Sequence, residues 1–287
     1  MRSFEYLEPG NLSDALNAIG RYGEDARVMA GGTALVNLMK QQLVQPAYLI
    51  GLGKIQELGG ISRNGELRIG ALATHRMIET SRVVYEHAPL LTETLRHVAT
   101  IRIRNVATIG GSLAHADPNQ DPPPALIVLG ARVKLISIEG EREMLLEDFF
   151  TGYYETALRP DELVTEIMIP IQPSESHTSY IKFLPRTQDD YATVSAAVRV
   201  TMHGGRIADA RVAIGSAGPV PIRARKVEEA LRGQRPEDAL IRDAAELATS
   251  SVDPVSDFRG SAGYKRAMSA VFVRRALEQA LSGTRGG

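Results

Sequence analysis

Two short glycine pairs carry the clearest chemical signal in this chain. The first is AGGTAL (Ala30–Leu35), where Gly31-Gly32 follows a strand-like stretch ending in Met29 and Ala30 and leads through Thr33 and Ala34 into a helical pattern at Leu35. Glycine lets backbone N–H groups come close to a ligand and adopt positive φ. A helix N-terminus behind such a turn favours negative charge, by roughly 0.3–1 kcal/mol per interaction. Thr33 adds a hydroxyl donor. This junction suits a phosphate, and it equally serves as a tight turn with no ligand. The second pair lies in TIGGSLAHADPNQD (Thr108–Asp121), where Gly110-Gly111 follows Ile109 between Thr108 and Ser112. Two such pairs, far apart in sequence, suggest two loops converging on one extended ligand, and a pyrophosphate is the natural candidate. Asp121 is placed to accept hydrogen bonds from ribose hydroxyls, as acidic residues do in other dinucleotide sites.

Other residues have two readings each. His115, Asp117 and Asp121 form H-x-D-x-x-x-D, a set of ligand types for a hard or borderline metal. Asp117 before Pro118 and Asn119 is equally a turn in which the carboxylate bonds its own backbone, and no second cluster supports a metal, so none is assigned. Lys182 can meet a phosphate, the edge of a cofactor ring or solvent. Tyr191 can lie over an aromatic cofactor or pack at a strand end. Arg266, Arg274 and Arg275 form a solvated helix face or a subunit contact. Gly51-Leu52-Gly53 lacks the third glycine of G-x-G-x-x-G, where Gln56 stands. Walker A and H-E-x-x-H are also missing, which leaves a Rossmann NAD site or a P-loop unsupported.

The elements that must position these residues belong to an ordinary globular chain. It has 287 residues, 44% hydrophobic and 23% charged, with a net charge of −1. Near-neutrality and the lack of a Lys/Arg run give no footprint for nucleic acid. The chain has no cysteine, which removes disulfides, thiolate catalysis and Cys-ligated iron–sulfur clusters from it. Glu5 and Glu8 stand where a signal peptide needs apolar residues, and no window reaches the length of a membrane span; a cytoplasmic protein is expected. The pattern predicts a helix over Asn11–Tyr22, a strand over Ala26–Ala30, a helix over Leu35–Leu43, and strands at Tyr48–Ile50 and Leu67–Ile69. Helices follow at Thr74–Ser81 and Leu90–Ala99. Ile103–Leu126, rich in Gly, Pro, Asn and Asp, reads as a long irregular loop. Strands come next at Ala131–Ile138 and Leu163–Pro170, then a linker at Gln172–Thr178. Beyond it, Val194, Ala196, Val198, Val200 and Met202 alternate as in a half-buried strand. A turn at His203–Arg206 leads into a strand at Ile207–Gly215, and helices close the chain near Arg223–Arg232, Pro236–Thr249 and Tyr264–Leu281.

Together AGGTAL, TIGGSLAHADPNQDPPPAL, KFLPRTQDDYATVSAAV and RGSAGYKRAMSAVFVRRAL resemble the FAD-binding medium subunit of molybdenum hydroxylases. This is the group of aerobic carbon monoxide dehydrogenase, and the flavin domain of xanthine dehydrogenase is similar. The resemblance implies an α+β protein: a two-part FAD-binding fold of the vanillyl-alcohol-oxidase (PCMH) type over residues 1–176, divided near 55, and an α+β domain with a small antiparallel sheet and helices over 177–287. It implies that Met29, Ala30, Gly31, Gly32, Thr33, Ala34 and Leu35 meet the FAD pyrophosphate, with Thr108, Ile109, Gly110, Gly111 and Ser112 as the second loop. Asp121 would hold the adenosine side, Val98 and Val164 would be apolar neighbours of FAD, Lys182 would bind the flavin, and Tyr191 would lie beside the isoalloxazine. The implied partners are a large subunit with molybdopterin cytosine dinucleotide and a small subunit with two [2Fe-2S] clusters. The implied assembly is a dimer of heterotrimers, a heterohexamer compatible with peripheral membrane association. Electrons would pass through FAD to an external acceptor, so no residue here is assigned as a catalytic acid or base. Two departures stand out: Ser112 replaces the acidic or amide residue of many relatives, and Gly51-Leu52 replaces an Asp-Leu or Asp-Ile. The rival readings are a self-contained FAD-dependent oxidoreductase of the same fold and a scaffold subunit with empty loops.

Overall fold

The computed structural model describes residues 3–185, 187 and 190–282. It opens with β1 (Glu5–Leu7) and α1 (Leu12–Tyr22). Helix α1 starts where the Asn11 side chain accepts the Asp14 N–H, and it stops at Gly23, whose φ of 49° ends the turn. The sequence offers Asn11 or Ser13 as the cap and Gly23 as the stop; the structure uses Asn11. Next come β2 (Ala26–Met29), α2 (Leu35–Lys40) and β3 (Tyr48–Gly51). The three strands form a parallel sheet in the order β1-β3-β2. Ala15, Leu16 and Ile19 of α1 pack in one small core with Ile50, Leu52, Ile55 and Leu58.

The second unit begins with the β4 (Ile61–Asn64) and β5 (Glu66–Gly70) hairpin. Six short helices follow: α3 (His75–Thr80), α4 (Arg82–His87), α5 (Pro89–Arg96), α6 (Ile101–Arg104), α7 (Ile109–His115) and α8 (Pro122–Val128). The chain then returns through β6 (Arg132–Ile136), β7 (Glu141–Leu145), a small hairpin of β8 (Phe150–Gly152) and β9 (Glu155–Thr156), and β10 (Leu163–Ile169). The antiparallel order is β4-β5-β10-β6-β7, so the last strand occupies the centre. Ile69, Val133 and Ile167 of this sheet share a core with Ile78, Leu91, Leu95, Leu113 and Leu126 of the helices.

The third sheet is antiparallel, β11 (Ser176–Phe183), β12 (Val194–His203), β13 (Arg206–Gly215) and β14 (Ile222–Arg223) in sequential order. Helices α9 (Arg225–Leu231), α10 (Asp238–Glu246) and α11 (Ala262–Leu281) supply its main core, where Val198, Val212 and Ile214 meet Val227, Ile241, Val273 and Leu277. The opposite face, with Tyr180, Ala197 and Ala213, joins the core of the second unit.

Four expectations need correction. Ile103–Leu126 is not an irregular loop but mostly the helices α6, α7 and α8. Its Thr108 caps α7 and its three prolines open α8, where a missing N–H costs no hydrogen bond. The linker is shorter than Gln172–Thr178, because Ser176, His177 and Thr178 pair with Thr201, Val200 and Arg199. Strand β12 is buried on both faces over Val194–Val200 rather than half-buried; its alternation records two different cores, not core against water. Helix α2 also stops at Lys40, before Leu43, and Gln42 turns at φ 62°.

Leu126 is fully buried between the helices and the sheet. We expect Leu126→Ala to lower unfolding free energy by about 2–5 kcal/mol in denaturant titration, the usual range for a large-to-small core change. A loss well under 1 kcal/mol (roughly the cost of a surface change) would mean that α8 is not part of the core.

Candidate cofactor site

Strand β2 delivers the first glycine turn. The Met29 carbonyl accepts the Leu52 N–H at 2.9 Å, Gly32 takes a φ of 73°, and α2 begins with the Val36 N–H on the Gly32 carbonyl at 3.0 Å. Asn37 ties the turn back by donating to the Thr33 carbonyl at 3.0 Å. Among the described residues, no protein acceptor takes the N–H groups of Gly31, Gly32, Thr33 or Ala34. Residues 29–36 are all half-buried. A row of unpaired, partly buried N–H groups needs an acceptor, and the oxygens of a phosphate supply several at once. Met29 and Leu35 flank this row.

The second glycine pair converges on the first. A β-carbon on Gly31 would lie 2.0 Å from the Val106 carbonyl oxygen and 3.2 Å from Ala107 Cα, and one on Gly111 would lie 3.5 Å from Ala30 Cβ. Its N–H groups, however, are not free. Ile109 donates to Ala73 O at 3.0 Å, Gly110 to Ala71 O at 2.9 Å, Ser112 to Thr108 O at 3.0 Å, and Gly111 to Thr108 Oγ1 at 3.2 Å. The second pair thus uses its N–H groups inside the protein, unlike the first. Gly110 serves packing, since a β-carbon there would sit 2.4 Å from Ala71 Cβ. Ser112 faces His75, with Oγ and Nε2 3.0 Å apart. His75 is buried, and burial, aided by the Arg104 charge, pulls its pKa down from 6.5 to about 4; the ring is neutral at working pH.

Asp121 and Lys182 form a buried ion pair, with Nζ 2.9 Å from Oδ2 and only 1% of the Lys182 side chain exposed. Lys182 also donates to the His97 carbonyl at 2.8 Å, and the Tyr180 hydroxyl donates to the other Asp121 oxygen at 2.6 Å. Burial pushes the Asp121 carboxyl up, against the opposing pull of Lys182 and Tyr180. Two readings change here. Lys182 is not a solvated lysine. Asp121 and Lys182 also cannot serve opposite ends of an extended ligand, because they touch; the adenosine assignment of Asp121 and the flavin assignment of Lys182 exclude one another. Val98 follows His97, and its carbonyl accepts from Arg104 at 2.8 Å. Val164 is buried in β10 opposite Leu135. Tyr191 is 43% exposed, and the Arg259 guanidinium lies 5.4 Å from its ring centre. Its neighbours in the motif, Arg186, Gln188 and Asp189, lie outside the described residues.

In H-x-D-x-x-x-D, Asp117 accepts the Asn119 N–H at 2.9 Å, as a turn does, while Asp121 faces Lys182 and Tyr180. The structure also brings in His75, His97 and Tyr180. Of these only Tyr180 had a legible signal: it stands two residues before Lys182, so strand periodicity puts both on one face of β11.

The structure thus holds a glycine turn whose N–H groups lack protein acceptors among the described residues, a second loop packed on it, and a buried Lys–Asp pair. The family described as "FAD binding domain in molybdopterin dehydrogenase" matches residues 2–172, and "CO dehydrogenase flavoprotein C-terminal domain" matches residues 179–280. The chain belongs to this family, the FAD-binding medium subunits of molybdenum hydroxylases. It is 37% identical to the carbon monoxide dehydrogenase medium chain of Afipia carboxidovorans, covering 97% of this chain and 96% of that one. It is 32% identical to the glyceraldehyde dehydrogenase medium chain of Sulfolobus acidocaldarius, covering 96% and 98%. Among solved structures, carbon monoxide dehydrogenase from Hydrogenophaga pseudoflava superposes with a TM-score of 0.95 at 35% identity, covering 98% of each chain.

Two outcomes follow from this geometry. Gly31→Val forces a side chain into the Val106 carbonyl and should remove FAD retention, read as the flavin-to-protein absorbance ratio; full occupancy would disprove the turn's role. Because the folded His75 pKa lies below the unfolded one, the unfolded state binds the extra proton between pH 6.5 and about 4. Its contribution to stability is full above pH 6.5 and is lost on acidification, by roughly 3 kcal/mol at 1.36 kcal/mol per pKa unit. His75→Gln should flatten that part of the stability–pH curve relative to the parent.

Proposed function

We propose that the Ala30–Ala34 turn holds the FAD pyrophosphate and that this chain is the electron-relay subunit of a molybdenum hydroxylase. The observation that carries the reading is the row of free N–H groups from Gly31 to Ala34. Among the described residues, the second glycine loop offers no such run, its donors being paired with Ala71, Ala73 and Thr108. Thr33 and Ser112 supply hydroxyls at the edges of the two loops, and Val98, Val164 and Tyr191 supply apolar and aromatic surface. Lys182 is the buried cation for the flavin end, with Asp121 as its counter-ion.

Bound FAD supplies the redox chemistry, accepting electrons one at a time and passing them to an external acceptor. The chain's own residues bind and orient it. Lys182 places a positive charge in a site closed to water, where a charge acts more strongly than in solvent, and Asp121 with the His97 carbonyl fixes its ammonium group. None of these residues needs to move a proton to reacting substrate.

The rest of the reading follows the relatives. Residues 1–176 form a flavin-binding fold of the vanillyl-alcohol-oxidase (PCMH) type divided near 55, and 177–287 form the C-terminal domain. The relatives' description as medium chains supports a large molybdenum subunit with molybdopterin cytosine dinucleotide and a small subunit with two [2Fe-2S] clusters. Together they would make a cytoplasmic dimer of heterotrimers, free or peripherally attached to a membrane. Among the described residues no helix is long and apolar enough to cross one. The substrate is chosen by the molybdenum subunit and is not encoded here.

Affinity purification of the tagged chain from its native source tests the reading. FAD, iron and molybdenum should co-elute in one complex; flavin with neither metal, reduced directly by a small substrate, would point instead to a self-contained oxidoreductase. Lys182→Met leaves Asp121 buried without its cation and should cost about 3–5 kcal/mol of stability. Adding Asp121→Asn should recover part of that loss in the same thermal or denaturant assay, yet FAD affinity should stay low.

A further inference from the structure

Strand periodicity gathers arginines on the face of the third sheet that meets the second unit. Ala197 and Ala213 lie on that face, in the core of the second unit. Arg199 stands two residues after Ala197 and Arg211 two before Ala213, so both share it. Arg223 pairs with Ala213 across β13 and β14 and joins them. Arg199 and Arg211 are also register partners on β12 and β13, and like charges directly opposite one another destabilise a strand pair.

The carboxylates nearby are committed to other arginines. Asp209 accepts from Arg199, Glu147 meets Arg223 and Arg225 at 3.1 Å each, and Glu228 meets Arg223 at 2.8 Å. Arg211 comes no nearer to Asp209 than 4.0 Å, beyond hydrogen-bond distance. Among the described residues, no protein acceptor takes a hydrogen bond from its guanidinium. Burial, together with the Arg199 and Arg223 charges, pulls Arg211 below the ordinary arginine pKa. The buried Arg199 Nε is without a partner as well.

Arg211 lies against the turn that ends α8. Gly130 turns there at φ 74°, and a β-carbon on it would stand 2.5 Å from Arg211 Nη1. A helix C-terminus attracts a cation, but its carbonyls are used elsewhere: Ile127 O accepts the Gly130 N–H and Leu129 O accepts the Gln172 amide, both at 3.0 Å. The guanidinium is drawn to this end and still lacks acceptors. Beside it is a cavity of about 70 Å³ lined by Arg211, Arg223, Glu147, Gly130, Ile127 and Leu145. That is several times the roughly 10–15 Å³ that admits one water. The Glu147 charge on its wall is already met by two arginines.

We propose that this cavity binds a small tetrahedral oxyanion, phosphate or sulfate, on the forked donors of Arg211 with Arg223 beside it. The anion separates like charges on the sheet and ties the turn after α8 to β13. Planar guanidinium donors suit such oxygens, which accept two parallel N–H bonds at once. The cavity stands at the opposite end of α8 from Asp121, about 10 Å along a seven-residue helix, and the inference does not depend on the cofactor reading.

The test titrates inorganic phosphate into the full chain with FAD in excess, at constant ionic strength, and reads binding by calorimetry. The parent should take up phosphate saturably at a single site. Arg211→Met keeps the apolar stem and should weaken binding by roughly tenfold or more, as loss of a charge-assisted hydrogen bond requires. Arg211→Lys keeps the charge without the fork and should fall between the two. Arg82→Met, at an arginine whose side chain is 89% exposed, should bind as the parent does. In phosphate-free buffer Arg211→Met should melt at or above the parent's temperature, because it removes a like-charge contact; on adding phosphate only the parent should gain. No saturable uptake by the parent, or equal uptake by the parent and Arg211→Met, would overturn the proposal. So would an Arg211→Met chain that melts well below the parent without phosphate, since Arg211 would then be a structural cap of α8.

Discussion

The site depends on one close backbone approach. Gly31 lies against the Val106 carbonyl and Ala107, where a β-carbon would stand 2.0 Å from oxygen. Only glycine permits this approach, and it places the first turn against the chain entering α7. The consequences spread in both directions. On one side, the turn's N–H groups have no protein acceptor among the described residues. On the other, Ala107 accepts the His75 N–H, Ile109 and Gly110 bond the Ala71–Ala73 segment, and α7 is thereby fixed to the end of β5. The two glycine pairs divide differently: among the described residues the first keeps its donors without protein acceptors, and the second gives its own to Ala71 and Thr108.

A buried charge pair joins the chain before α8 to the third sheet. Asp121 precedes α8, Lys182 lies in β11, and His97 follows α5. Two charges removed from water are expensive unless every remaining polar position finds a partner, and here Tyr180 and the His97 carbonyl provide them. Losing one partner would leave the other charge stranded, so the pair works better as a geometric lock than as a source of stability. This explains how the lysine can be kept dry: its counter-ion is supplied by the protein.

Local signals were legible where a residue acts on its own neighbours. Asn11 and Gly23 bound α1, Gly32 turns the chain at positive φ, and the Gly204-Gly205 turn joins β12 to β13. The same signals misled where they had two meanings. Gly, Pro and Asn in Ile103–Leu126 suggested an irregular loop, yet the prolines and Thr108 are helix starts. The alternation in β12 suggested one wet face, yet both faces are buried. Period and composition report that a residue is special, not whether its surroundings are water or protein.

The sequence alone determined the glycine pairs, the absence of thiol and Rossmann chemistry, and the family to which the motifs point, because those depend on residue type and short spacing. Only the tertiary structure decided which donors are free. Gly31-Gly32 and Gly110-Gly111 are indistinguishable as dipeptides, but Ala71 and Thr108 take the N–H groups of the second pair, and among the described residues no protein acceptor takes those of the first. It also decided that Asp121 and Lys182, 61 positions apart, are one unit and that Lys182 reaches a carbonyl 85 positions away. The physical reason is the same in each case. A hydrogen-bonding group's role is set by which partner is within about 3 Å, and the fold, through chain reversals between distant segments, chooses that partner.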